Sequence, residues 1–320
     1  MLRLELTRRA FLAAPLLAVG NAELVDVRKI WDAAPHNAFT DLIRFRGRWY
    51  CAFREGSGHV SPDGALRILE SRDGERWEPV ALVASQTADL RDPKLCIAPG
   101  NRLMLTTAGA LHQPAAARHQ SYVWFSRDGR SWADPTPIGD PNVWLWRVVW
   151  HEGTAYGVGY STAEDRFARL YRSSDGRRFE PLVERLFDRE YPNESATVFR
   201  KDDTALCLLR RDRESATALL GRARPPYREW EWKDLRVRVG GPQMIETGGQ
   251  LIAATRLHGP VRTALSRVDP EAGKLSEFLT LPSGGDNSYP GLVMHAGLLW
   301  MSYYSSHEGK TSIYLARVKL

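Results

Sequence analysis

Apolar and polar positions alternate along this chain in one short pattern that recurs six times. An apolar run ends at a turn residue and a second apolar run follows. A polar loop, a third apolar run and another turn complete the unit. Seven residues on from the first turn residue lies the end of the second run. Gly47 leads to Arg54, Gly100 to Thr107, Gly153 to Tyr160, Asp203 to Arg210, Gly249 to Arg256 and Gly297 to Tyr304. Successive turn residues are 53, 53, 50, 46 and 48 apart. A fixed period in this range marks a propeller or solenoid, and units of about 40–50 residues with four strands are propeller blades. No unit carries the 3.6-residue periodicity of an amphipathic helix. The pattern predicts an all-β fold, a six-bladed β-propeller.

The third runs are equally regular: ALRILES, SYVWFS, ARLYRS, ATALLGRA, RTALSRV and TSIYLARV. Three of them enter the same turn. These are Ser71-Arg72-Asp73-Gly74 with Trp77, Ser126-Arg127-Asp128-Gly129 with Trp132, and Ser173-Ser174-Asp175-Gly176 with Phe179. In such a turn the carboxylate accepts backbone N–H groups and the glycine takes the positive φ. Those aspartates sit at one turn of different blades, so they read as structural rather than catalytic. The final unit ends at its third strand. Residues 23–30, ELVDVRKI, are an unclaimed strand that would supply the missing outer strand and close the ring.

Residues 1–22 read as a leader rather than as part of the fold. Arg8-Arg9 stands directly before a short apolar stretch from Ala10 to about Gly20, and Gly20 and Ala22 suit a cleavage site. This is the pattern of a twin-arginine export signal and is too short to span a bilayer. The expected organisation is a leader over 1–22 and one propeller domain over 23–320, exported to the periplasm or beyond, with no stable membrane insertion. The formal charge of +6 falls by two without the leader, and no block of lysines and arginines tracks nucleic acid. Cys51, Cys96 and Cys207 all lie in apolar strands and form no disulfide framework. No zinc-ligand spacing is present, so neither a metal nor another cofactor is expected.

In a propeller the start of each first strand and the end of each second strand reach one face, over the central axis. The register delivers Arg54, Arg210 and Arg256 from second-strand ends. It delivers Asp41, Asp92, Arg147, Glu194 and Tyr289 from first-strand starts, with His36, Asn37, Trp144, Trp146, Asp286 and Asn287 beside them. Three arginines at one register position suit a carboxylate or sulfate, which a guanidinium fork binds through paired hydrogen bonds. Arg211 is an alternative to Arg210. Tyr289 is a weak nucleophile that needs an adjacent base, and Glu194 could be that base. His59, between Gly56 and Gly58, is a candidate general acid, with Glu55 and Asp63 as alternatives.

These residues resemble the sialidase-like, Asp-box (BNR-repeat) six-bladed propellers, over essentially all of residues 23–320. The three Ser-X-Asp-Gly turns carry the fold resemblance. The order of polar residues carries the rest: an early Arg54, Asp92-Pro93, Glu194 followed by Arg210, and Arg256 lying 33 residues before Tyr289. The resemblance implies that Arg210 and Arg256 hold a substrate carboxylate, that Glu194 and Tyr289 form the nucleophile pair, and that Asp92 supports the acid or binds a sugar hydroxyl. The first arginine of the sialidase triad is missing, since His36-Asn37-Ala38-Phe39-Thr40-Asp41 stands in its place. The acid/base aspartate has no clear match, and Tyr289 precedes Pro290. The implied activity is an exported exo-glycosidase acting on an acidic or otherwise polar terminal sugar of a glycan. A uronate lyase and a non-catalytic glycan-binding propeller are the alternatives.

Overall fold

A computed structural model describes residues 22–113, 117–214 and 216–320. The six units become six antiparallel four-stranded sheets. Five blades run in chain order from inner to outer strand, over residues 36–83, 88–138, 143–187, 192–234 and 239–280. The sixth takes Asn287–His295, Leu298–Ser305 and Ser312–Lys319 from the end of the chain, and Glu23–Trp31 from its start. Glu23 pairs with Lys319 and Trp31 with Ile313, so the first strand closes the ring as its sequence predicts. The leader lies outside the described residues. Among the described residues no helix is long and apolar enough to cross a membrane.

The repeated turns are built as expected. Asp73 Oδ1 accepts the N–H groups of Glu75 (2.9 Å) and Arg76 (3.0 Å). Asp128 accepts those of Arg130 and Ser131, and Asp175 those of Arg177 and Arg178. The serine hydroxyl takes the glycine N–H, and Gly74, Gly129 and Gly176 have φ of 77°, 75° and 74°. Apolar side chains of neighbouring blades pack between the sheets. Phe45, Tyr50 and Ile68 of the first blade meet Leu90, Leu95 and Leu105 of the second. Cys51 and Cys207 are buried and all three thiols are free.

One irregularity repeats in all six inner strands. Each is a β-bulge at its first turnward end, between Ala38 and Asp41, Arg91 and Lys94, Leu145 and Arg147, Pro192 and Ser195, Gly240 and Gln243, and Ser288 and Gly291. A bulge leaves a residue out of the ladder and re-aims its side chain. The residues freed here are Phe39, Asp92, Trp146, Glu194, Gly241 and Tyr289, with their immediate neighbours. Phe39, Asp92, Gly241 and Tyr289 have φ of 62°, 54°, 54° and 51°. Pro93, Pro242 and Pro290 follow three of them, where the missing N–H costs no ladder bond.

Candidate active site

Tyr289 and Glu194 meet across the axis. The Tyr289 hydroxyl donates to Glu194 Oε1 at 2.6 Å. Glu194 Oε2 accepts from Arg210 Nη1 at 2.6 Å and from the Gly241 N–H at 2.8 Å. Both side chains are buried. Burial alone would raise the Glu194 carboxyl, but the Arg210 charge and the hydrogen bonds from Tyr289, Arg210 and Gly241 outweigh it and hold it below the ordinary value. Burial, then the Glu194 charge, pushes the Tyr289 hydroxyl far up. The phenol therefore keeps its proton and donates it to Glu194, a geometry in which a carboxylate can act as base toward a tyrosine. A Cβ at Gly241 would lie 2.7 Å from the Tyr289 ring, so only glycine lets this bulge approach.

Arg210 also holds Asp212, through Nη2 at 2.7 Å. The Arg256 guanidinium stands 5.4 Å from the Tyr289 ring centroid. It donates to Asp286 Oδ1 (3.3 Å), Tyr304 Oη (3.1 Å) and the Asn287 carbonyl (3.0 Å). Arg210, rather than Arg211, reaches the axis. Arg211 turns to Glu190 and Asp234 on the flank of its blade.

Asp92 lies on the same side and close enough for its charge to act on Glu194, Tyr289 and Tyr160. Burial pushes its carboxyl up to about 6, and the Lys94 and Arg91 charges offset only part of that. Beside it, burial and the Arg147 charge push the Lys94 ammonium down to about 8. Lys94 Nζ sits 4.8 Å from the Trp146 ring centroid. Asp92 Oδ1, Lys94 Nζ, Trp146 Nε1, His36 Nδ1 and Ser288 Oγ are buried without a protein hydrogen-bond partner. Unsatisfied groups of this kind cost about 1–3 kcal/mol each unless water or a bound molecule completes them.

His59 and His36 reach the same rim. His59 Nδ1 and His36 Nε2 lie 2.6 Å and 3.1 Å from Asp286 Oδ2. Burial would raise Asp286, but the hydrogen bonds from His36, His59 and Tyr304 win and hold it well below the usual carboxylate range. The ligating atoms of these three residues lie within 4.8 Å of one another, a spacing a divalent cation can use, although the sequence pattern assigned no metal. A second such group, His151, Glu152 and Asp203, lies at the far ends of the inner strands. Asp286 Oδ1 is already held by Tyr304 (2.7 Å) and Arg256, so its charge is engaged without an ion.

Three predicted binding residues go elsewhere. Arg54 is fully buried and donates to Asp89 (2.8 Å), the Gly58 carbonyl (2.8 Å) and Ser61 (2.8 Å). It braces the His59 loop from beneath and does not join Arg210 and Arg256. Arg147 holds Asp41 at 2.9 Å, because the bulge gives the axial position to Trp146 instead. Asn37 is spent on the Ala34 and Thr311 carbonyls and ties the first blade to the sixth. Of the alternative acids, Asp63 is lowered to about 2 by hydrogen bonds from Ser61 and the Ser57 N–H, so it has no proton to give near neutrality. Glu55 is held by Arg67 and Trp31. The sequence pattern left Phe39, Lys94, Asp212 and Gly241 unassigned. The signal that could have found two of the bulges beyond Asp92-Pro93 was proline following Gly241 and Tyr289 at the same place in their strands.

A cavity of about 1070 Å³ is the axial channel opening on the opposite face. Its walls include Ile97, Val149, Phe199, Ile245 and Val293, and the Asp41–Arg147 pair lies at its inner end.

No known family profile and no curated protein matches the sequence. Solved structures do match the fold. A Dyadobacter fermentans protein of unknown function superposes with a TM-score of 0.84 at 18% identity, over 94% of this chain and 100% of that one. An α-L-arabinofuranosidase from Fusarium graminearum gives 0.71 at 12% identity, over 94% and 98%. A Trypanosoma rangeli sialidase mutant displaying trans-sialidase activity gives 0.69 at 10% identity, over 92% of this chain and 58% of that chain. At these identities the likeness establishes the fold, a six-bladed propeller of a kind that includes glycoside hydrolases.

Proposed function

We propose that the protein is a glycoside hydrolase that takes a terminal polar sugar into the bulged end of the axis. The observation that carries this reading is the buried 2.6 Å contact of Tyr289 with Glu194. Tyr289 Oη attacks the anomeric carbon while Glu194 accepts the phenol proton. The bond from that carbon to the leaving oxygen breaks, and Asp92 delivers its proton to the departing oxygen. In the second half water attacks the same carbon and gives a proton to Asp92. The tyrosyl oxygen leaves and recovers its proton from Glu194. Atoms and charges balance over the cycle, which has the two-carboxylate economy of glycosidases with tyrosine as the added nucleophile. Asp92 is the better acid because its carboxyl is raised to about 6, whereas His59 is fixed on Asp286 at the rim.

The test is a panel of 4-methylumbelliferyl glycosides with wild type and Tyr289→Phe. The variant loses one hydroxyl and keeps its ring packing against Phe39 and Trp146. Turnover is expected to fall at least a thousandfold while sugar binding persists. Unchanged turnover rejects the tyrosine mechanism. Retained glycan binding with no turnover by wild type would instead assign a binding module.

The twin arginines of residues 8 and 9 support export of the mature domain. Replacing both by lysine should leave the precursor in the cytoplasm, read by fractionation. Normal export of that variant rejects the twin-arginine route.

A further inference from the structure

We propose that the pocket takes an uncharged sugar, so that the glycan cut is neutral at its terminal residue rather than a sialoside or uronide. The proposal rests on the glycoside hydrolase reading and narrows its substrate. Arg210 and Arg256, the two arginines that the resemblance assigns to a substrate carboxylate, already hold carboxylates of this chain, while Arg91 lies 5.3 Å over the Phe39 ring in the field of Asp89 and Asp92. Arg210 lies 2.6 Å from Glu194 and 2.7 Å from Asp212. Arg256 lies 3.3 Å from Asp286 and spends its remaining donors on Tyr304 and the Asn287 carbonyl. Arg54 and Arg147 are consumed by Asp89 and Asp41. A paired guanidinium has little net charge left to offer, and a second anion brought beside it meets the first.

Carboxyl groups match the lysine and arginine side chains in number. Arg91, Lys94, Arg210 and Arg256 act on the same end of the axis as Asp92, Glu194, Asp212 and Asp286. Where the sialidase resemblance expects its first arginine, the chain places Phe39. That ring lies 5.2 Å from Tyr289, 5.4 Å from Tyr304 and 5.2 Å from His59. Trp146 adds a second aromatic wall 5.8 Å from Tyr289. Both rings are almost fully buried, so they put apolar packing where a charged side chain would otherwise stand. The unpartnered groups beside them, Asp92 Oδ1, Lys94 Nζ and Trp146 Nε1, offer one acceptor and two donors, which suits hydroxyl groups that both give and take hydrogen bonds.

The experiment compares sugars that differ by the carboxylate alone: glucose with glucuronate and galactose with galacturonate, together with N-acetylneuraminate. Binding is titrated by calorimetry or saturation-transfer NMR on the mature domain. Wild type is expected to bind no acid more tightly than its neutral partner. Asp212→Asn with Asp286→Asn removes one carboxylate from each guanidinium, leaving Arg210 to Glu194 alone, and should raise uronate affinity at least tenfold over wild type. A wild-type preference of tenfold or more for any of the acids overturns the proposal. So does a folded double variant that gains no uronate affinity. Where the double variant fails to fold, the wild-type comparison decides alone. Failure of the hydrolase reading appears separately, as turnover that survives Tyr289→Phe, and leaves the binding ratio intact.

Discussion

Asp92 and Glu194 share one buried site and are pushed in opposite directions. Glu194 is held below the ordinary value and Asp92 is raised to about 6. Carboxylates driven apart in this way divide into a base and an acid. Activity should therefore be bell-shaped in pH, with the alkaline limb near 6, where Asp92 loses its proton, and the acidic limb below the ordinary glutamate range. Asp92→Asn should abolish the alkaline limb and slow poor leaving groups far more than a dinitrophenyl glycoside. The same residue carries a stability cost. A folded pKa above the unfolded one means that stability falls as pH rises from about 4 to about 6 and stays reduced above that. Asp92→Asn should thus stabilise the fold at pH 7 by about 2 kcal/mol, and a melting curve that drops instead would contradict the assigned shift. Gly241→Ala tests the packing beneath the nucleophile. Its Cβ would press on the Tyr289 ring at 2.7 Å and force a side chain into φ of 54°. Phe39 and Trp146 block the ring's retreat, so kcat should fall at least tenfold in a protein that still melts cooperatively.

The inner strand is the element that makes the site. A regular strand alternates its side chains between the flanking sheets, so nothing in it would be aimed along the axis. The bulge breaks that alternation once per blade and turns one residue toward the funnel. Part of the backbone strain lies there, with Phe39, Asp92 and Tyr289 in the left-handed region at about 1–3 kcal/mol apiece. The outer turns play the opposite part. Asp73 satisfies two backbone N–H groups on the outside of its blade, away from the axis. Asp73→Ala should cost about 1 kcal/mol, as loss of a comparable backbone cap does, and leave kcat unchanged. A loss of activity out of proportion to the melting shift would show that these turns reach the site.

The ring is closed by Glu23–Trp31, which covers the edge of Ser312–Lys319 and buries Leu24 and Val27 against the sixth blade. Asp26 grips Arg317 across that seam, and the Trp31 indole reaches Glu55 of the first blade at 2.6 Å. Removing residues 23–31 would expose one full strand edge and unlock the sixth blade from the first. Such a chain should melt at least 10 °C lower or aggregate, measured by thermal scan and size-exclusion chromatography, because an open sheet edge pairs with other chains.

The six-unit period, the four-strand blade, the hairpin turns and the closing strand are local or periodic properties, and they were legible in the order of residues alone. So was the face on which Tyr289, Glu194 and Arg210 meet, because register along an antiparallel hairpin follows from counting. Tyr289, Glu194, Arg210, Arg256 and Asp92 were each delivered to that face by counting, and the loops beside them added His36 and His59. The direction of a side chain at that face was not legible. Counting put Arg54, Arg147 and Asn37 among the binding residues, but one extra residue in a bulge hands the axial position from Arg147 to Trp146, and tertiary partners claim the other two. The pairing of charges was equally hidden. Asp286 meets Arg256 only because the loop before the sixth blade reaches the fifth, whereas Asp212 pairs with Arg210 two residues away at the same strand end. Sequence sets which groups are available at the axis, but electrostatics depends on distances of a few ångströms between residues far apart in the chain, and only the closed ring fixes those.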